Sequence, residues 1–190
     1  PVEVIKLLGH EIVYADVDSA TFNITPETIE KVYTDDVKAI IPVHLFGQCC
    51  NMQGIVEFAQ KHTLSIIEDN AQSLGAIKGC SHNGIITVSF FPTKNLGAYG
   101  DGGAIMTNND TLAKTIRTIA NHGQTRKYDH ELIGVNSRLD TIQAAILNVK
   151  LKYLNEFILK RQQVAAFYDA HLKHIPQIQI PVRSDFSMHT

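Results

Sequence analysis

Residues 38–72 read KAIIPVHLFGQCCNMQGIVEFAQKHTLSIIEDNAQ. Lys38 to Leu45 is a near-continuous apolar run, the pattern of a strand buried on both faces. Met52 to His62 then carries Ile55, Phe58 and Ala59 at helical spacing. Leu64 to Ile67 is a second buried strand, closed by Glu68 and Asp69. Outward from this unit, Glu11 to Val17 alternates as a strand does, and Pro26 opens a helix that Thr25 caps, with Glu27 and Glu30 favourable near its start. Downstream, Thr87 to Phe91 and Ala104 to Thr107 are strand-like, and Thr111 to Ala120 is a helix with Asp110 at its cap. Leu139 to Leu172 reads as one long helix with a kink or an interruption. Alternating strands and helices predict an α/β sandwich with a mostly parallel sheet. Ligands in such sheets bind beyond the carboxyl ends of the strands, where Asp69, His44 and Gln48 fall.

Composition narrows the function classes. The chain has 190 residues, enough for one sizeable domain with a good core. Its net charge of −2 gives no general pull toward nucleic acid or membrane surfaces. No apolar run is long enough to span a bilayer. Three cysteines, Cys49, Cys50 and Cys80, are an odd count with two adjacent thiols, which is a poor disulfide framework and no zinc motif. A reducing, cytoplasmic compartment is expected. His171 and His174 have a helical spacing that suits a metal, but no third ligand stands out, so no metal is expected.

The chemistry centres on Lys94. It sits in Ser89-Phe90-Phe91-Pro92-Thr93-Lys94-Asn95-Leu96-Gly97, downstream of Glu68-Asp69-Asn70-Ala71-Gln72. Pyridoxal phosphate needs an amine, a partner for its pyridine nitrogen, a phosphate cradle and packing against the ring. Lys94 supplies the amine and would carry the cofactor as an imine. A lysine alone reads as a solvated loop residue; the motif around Lys94 reverses that reading. Asp69 is the natural partner of the ring nitrogen, against the ordinary alternative of an aspartate capping a turn. Gln72 is placed to donate to the phenolic oxygen, and the Ser89 hydroxyl to reach the phosphate. Gly97, Gly100, Gly102 and Gly103 precede a strand and do not form a dinucleotide fingerprint. They let the backbone turn tightly. His44 either lines the pocket or is a satisfied core histidine. His122 and His130 fall in a polar connection before Asn136.

Several separated stretches carry a resemblance. They are Ile41 to Gln48, Ile67 to Gln72, Ser89 to Gly103, Gly134-Val135-Asn136-Ser137-Arg138-Leu139-Asp140, and Gln143-Ala144-Ala145. Together, and in this order, they resemble the sugar aminotransferases of the DegT/DnrJ/EryC1/StrS family. The resemblance covers nearly the whole chain. It implies the large domain of a fold-type I pyridoxal phosphate enzyme, a three-layer sandwich. It gives Lys94, Asp69, Gln72 and Ser89 the roles above. It matches Asn136 to an asparagine that reaches the neighbouring subunit's cofactor phosphate, and so implies a homodimer with shared sites. The implied reaction moves an amino group, from glutamate, to a nucleotide-linked keto-deoxysugar in surface polysaccharide or amino-sugar biosynthesis. The Asn136 pattern with the upstream Lys127-Tyr128 and His130 favours a 3-keto-sugar over a 4-keto-sugar.

Departures from the family pattern are few. Cys49-Cys50 replaces a Pro-containing pair, and Leu74 stands where a histidine is frequent. The chain begins at Pro1 and ends in polar sequence, and the family's upstream phosphate loop is not in it. The expectation is therefore a fragment: residues 1–172 as a partial cofactor-binding domain with its long linking helix, and 173–190 as the start of a small C-terminal domain. Two alternatives stand beside this reading. A sugar dehydratase of the same family would carry histidine in place of Lys94. A non-catalytic regulatory or binding protein would retain the fold alone.

Overall fold

The computed structural model describes residues 1–76, 84–185 and 187–190. In chain order the elements are α1 (Val2–Leu7), α2 (Pro26–Glu30), β1 (Ala39–Ile40), α3 (Met52–Lys61), β2 (Ser65–Asp69), β3 (Ile85–Ser89) and β4 (Gly103–Thr107). They continue with α4 (Asp110–Ala120), β5 (Gln124–Arg126), β6 (Asp129–His130), α5 (Thr141–Leu151) and α6 (Leu154–Leu172). The main sheet has the order β1-β2-β3-β4. The first three strands pair in parallel and β4 closes the edge antiparallel. The mostly parallel sheet is the one the sequence pattern predicts.

Local chemistry explains the elements that position the site. Thr25 caps α2 reciprocally: its hydroxyl accepts from the Thr28 N–H at 3.3 Å, and the Thr28 hydroxyl accepts from the Thr25 N–H at 3.0 Å. Asn51 caps α3 by accepting from the Gly54 N–H. That helix buries Met52, Ile55, Phe58 and Ala59, which close a core with Ile29, Ile40 and Cys50, and Ile66 of β2 packs against it. A second cluster joins Leu96 and Ala98 of the lysine loop to Leu147 of α5, with Leu74, Phe90 and Leu154 against it. Helices therefore cover the sheet through two separate cores.

Two expectations are corrected, and a third is located. The alternating run from Glu11 to Val17 forms no strand: Val13 and Tyr14 are exposed, and the segment runs into a turn in which Asp18 accepts from Ala20, Thr21 and the Thr21 hydroxyl. Alternation makes a strand only where a neighbour supplies the ladder. The apolar run 38–45 gives just two strand residues, because Pro42 has no N–H to offer. Its carbonyl still accepts from the Asp69 N–H at 2.9 Å, and pairing resumes at Val43 opposite Asp69. The interruption expected in the long C-terminal helix falls between Leu151 and Leu154. At Lys152 and Tyr153 the hydrogen bonds shorten to i−3, to Val149 and Lys150. The pause lets Leu147 face the lysine loop while Ile158 packs on Gly75, where any Cβ would meet it.

Candidate active site

The strand ends carry the first group of side chains. β2 and β3 run in register with Asp69 opposite Thr87, so Ser89 lies two residues further out at the same carboxyl edge. Asp69 Oδ1 accepts from the Ala71 N–H at 3.0 Å, which fixes the carboxylate in a short turn and leaves Oδ2 outside that bond. Gln72 Oε1 accepts from the Phe46 N–H at 2.7 Å. The amide nitrogen of Gln72 is thereby turned away as a donor. Phe46 holds a left-handed backbone, φ 57°; the residue is 64% exposed, and its ring is edge-to-face with Phe22. A bulky residue in that conformation is an outlier that the surrounding bonds must hold.

The lysine loop leaves β3 and returns to β4 at the same end. Phe90 N–H bonds to the Gly102 carbonyl at 2.8 Å and Ala98 N–H to the Phe90 carbonyl at 2.7 Å. Lys94 N–H bonds to the Phe91 carbonyl at 2.9 Å, making a turn at the tip. A Cβ at Gly97 would stand 2.7 Å from the Pro92 carbonyl carbon, so only glycine lets the loop fold this tightly. Lys94 is half-buried, and no hydrogen bond or ion pair of its Nζ is found among the described residues. Ser89 Oγ accepts from the Phe91 N–H at 3.2 Å, which leaves its own proton to donate outward.

Asn95 is a residue that sequence reasoning missed. Its amide nitrogen donates to the Leu74 carbonyl at 3.2 Å, the Gln72 carbonyl at 3.4 Å and the Thr190 hydroxyl at 2.6 Å. It therefore straps the lysine loop to the turn that carries Asp69 and Gln72. Its place directly after Lys94 was the only signal in the sequence.

Asn136 is not part of this cluster. It is exposed, accepts from Arg138 Nε at 3.1 Å and pairs through its backbone with Asn121. No hydrogen bond among the described residues joins it to the other four candidates. The nearby β5–β6 hairpin was not predicted. There His130 Nδ1 meets the His122 carbonyl and Nε2 meets the Gln124 amide. His44 is the satisfied core histidine of the two readings, fully buried and bonded to Glu68 at 3.1 Å. His171 is spent on the Phe167 carbonyl. Cys49 is disulfide-bonded and Cys50 is a free buried thiol, so a disulfide forms where the odd count offered a poor framework for one. Cys80 lies outside the described residues. Burial pushes the Cys50 thiol up to about 12, so it stays protonated. Among the described residues no helix is long and apolar enough to cross a membrane.

The carboxyl ends of β2 and β3 bring Asp69, Gln72 and Ser89 to one end of the sheet, and the loop that carries Lys94 leaves β3 at the same end. This donor set fits a cofactor with an aldehyde, a ring nitrogen, a phenolic oxygen and a phosphate. Comparison with known proteins agrees. The chain is 48% identical, over 99% of its length and 55% of the relative's, to a UDP-2-acetamido-2-deoxy-3-oxo-D-glucuronate aminotransferase of Pseudomonas aeruginosa. It is 49% identical, over 84% of its length and 44% of the relative's, to a pleiotropic regulatory protein of Geobacillus stearothermophilus. The solved structure of NtdA from Bacillus subtilis with bound cofactor PMP superposes with a TM-score of 0.87 at 34% identity, over 97% of this chain and 44% of that one. The chain thus spans about half the length of these relatives. A profile of the DegT/DnrJ/EryC1/StrS aminotransferase family matches residues 1–190, and the chain belongs to that family, with its fold-type I architecture and its pyridoxal phosphate cofactor.

Proposed function

We propose that the protein to which this chain belongs transfers an amino group, from glutamate, to a nucleotide-linked 3-keto-deoxysugar, with Lys94 as its catalytic residue. The observation that carries the reading is the Asn95 strap, which holds the lysine loop against the turn of Asp69 and Gln72. When bound, pyridoxal phosphate supplies an electron sink for the pair left behind as a C–H bond breaks. Asp69 Oδ2 would hold the proton on the ring nitrogen and so keep that sink strong. Gln72 Nε2 would donate to the phenolic oxygen, and Ser89 Oγ to the phosphate. Lys94 Nζ takes up a proton at one carbon and returns it at another, general acid–base work for a positioned amine. Asn136 completes the phosphate site of a second subunit, so the working unit is a homodimer. Residues 1–172 belong to the cofactor domain and 173–190 begin a smaller one. A role in polysaccharide or amino-sugar synthesis in the cytoplasm is part of the same proposal.

Borohydride reduction of the cofactor-loaded full-length protein, followed by peptide mapping, tests the central claim. The pyridoxyl label is expected on Lys94; a label on Lys114 or Lys127 overturns the assignment. The similarity to a regulatory protein favours one second reading, a fold kept for binding alone. A visible absorbance band from the loaded protein, lost when an amino donor is added and restored by a keto-sugar, separates turnover from mere retention of the fold.

A further inference from the structure

One buried pair is not used by the chemistry above. His44 and Glu68 are both 0% exposed, and they meet at 3.1 Å, His44 Nε2 to Glu68 Oε2. The other ring nitrogen, Nδ1, accepts from the Cys50 N–H at 3.1 Å. A nitrogen that accepts carries no proton, so the ring proton sits on Nε2 and is donated to Glu68. The ring is thus clamped from both sides. Glu68 points to the core face of β2, shared with Ile66 and α3, while the next residue, Asp69, points the other way.

Two backbone bonds carry this clamp to the site. The His44 N–H bonds to the Asp69 carbonyl at 3.1 Å. Two residues later the Phe46 N–H bonds to Gln72 Oε1 at 2.7 Å. Between them the chain makes a 3₁₀ turn, Leu45–Gly47, whose direction depends on where His44 is held. A carboxylate and an imidazole are expensive to bury for packing alone, since an apolar pair of the same shape fills the space without desolvation. What an apolar pair lacks is direction, and direction is what both Asp69 and Gln72 receive from this turn.

We infer that His44 and Glu68 are positioning residues, a buried hydrogen-bond relay that aims Asp69 and Gln72 from the far side of the sheet. The inference rests on the proposed function, because the aimed groups matter through the cofactor they meet. The Cys50 N–H faces the ring from α3's side, and the Cys50 thiol beside it donates to the Val43 carbonyl and stays protonated.

The test has one arm without cofactor. Long-range proton–nitrogen NMR of the cofactor-free full-length protein reads the histidine tautomers. A single proton on His44 Nε2 is expected; a proton on Nδ1 overturns the relay. In the loaded protein, Glu68→Gln keeps the shape and removes the charge. We expect the pH midpoint of the cofactor's visible band to move in the same direction as in Asp69→Asn, and kcat to fall about tenfold with KM for the sugar unchanged. His44→Gln, which still offers an N–H toward Glu68, is expected to lie closer to wild type than His44→Ala. A lowered melting temperature with an unmoved midpoint and unchanged kcat means that the pair is structural, and the inference fails. If Glu68→Gln does not fold, the tautomer and the two His44 variants decide. Absence of any visible band in wild type sinks the proposed function, whereas a wrong tautomer sinks the relay alone.

Discussion

The strand-end cluster and the Asn136 loop are built on opposite terms. At the strand ends Asp69 is held by Ala71, Gln72 by Phe46 and Ser89 by Phe91, and Asn95 ties the lysine loop to the turn after β2. Around Asn136 the side chains stand outward. Ile133 is fully exposed, Leu132, Val135 and Leu139 are exposed in part, and among the described residues Asn136 bonds to Arg138 and bridges to Asn121. A contiguous set of apolar residues left in water marks a surface that something else covers. The first region is braced from within the chain, and the second is the face on which the proposed homodimer would join.

The largest expected effect breaks the first region outright. Lys94→Ala should lower the rate of amino transfer by about a thousandfold or more, because it removes both the anchor and the proton carrier. Single-turnover kinetics with preloaded cofactor checks this; a loss of tenfold or less would move the proton transfer to another group. Asp69→Asn comes next, with a loss of about a hundredfold, roughly 3 kcal/mol of transition-state stabilisation. Near-normal turnover with cofactor bound would mean that another residue meets the ring nitrogen.

The second region is probed by mixing. Asn136→Ala alone should cost about tenfold, one charge-assisted hydrogen bond to a phosphate. In a heterodimer with a Lys94→Ala chain, one site carries both lesions and the other neither, so activity should climb to about half of wild type per dimer. A mixture no better than its parents, with subunit exchange verified, defeats the shared site. The smallest effect is a control remote from both regions. Thr25→Ala removes the α2 cap and should lower stability by about 1 kcal/mol with kcat unchanged, read by thermal melting.

Much of the first region was legible in the sequence because it depends on local spacing. The run Ile67 to Gln72 places a carboxylate at a strand end, and Ser89 to Gly97 places a lysine in a tight loop, whatever the rest of the chain does. Thr25 and Pro26 were equally readable, since a cap depends on neighbours three residues apart. The missed features are those decided by distant partners. Asn95 matters because Gln72, Leu74 and Thr190 come to it. The strand expected at Glu11 to Val17 failed because alternation cannot supply a neighbour. The interruption of the last helix was expected but not its place, because Lys152 carries no proline or glycine to announce it; Leu147 and Ile158 on either side of it pack on different partners. Asn136 entered through resemblance alone, and nothing within its own chain explains it.

The antiparallel turn from β3 into β4 has a consequence for how this chain tolerates change. Ser89 and Gly103 sit opposite one another, so the segment between them begins and ends at one point. Its ends are already clasped, and lengthening it adds only closure entropy, about 0.6 kcal/mol for each doubling. Insertions at its outer tip would therefore leave Asp69 and Ser89 where they are. The amine proposed as catalytic thus rides on a loop clasped at its base, while Asp69 and Ser89 are set by the paired strands.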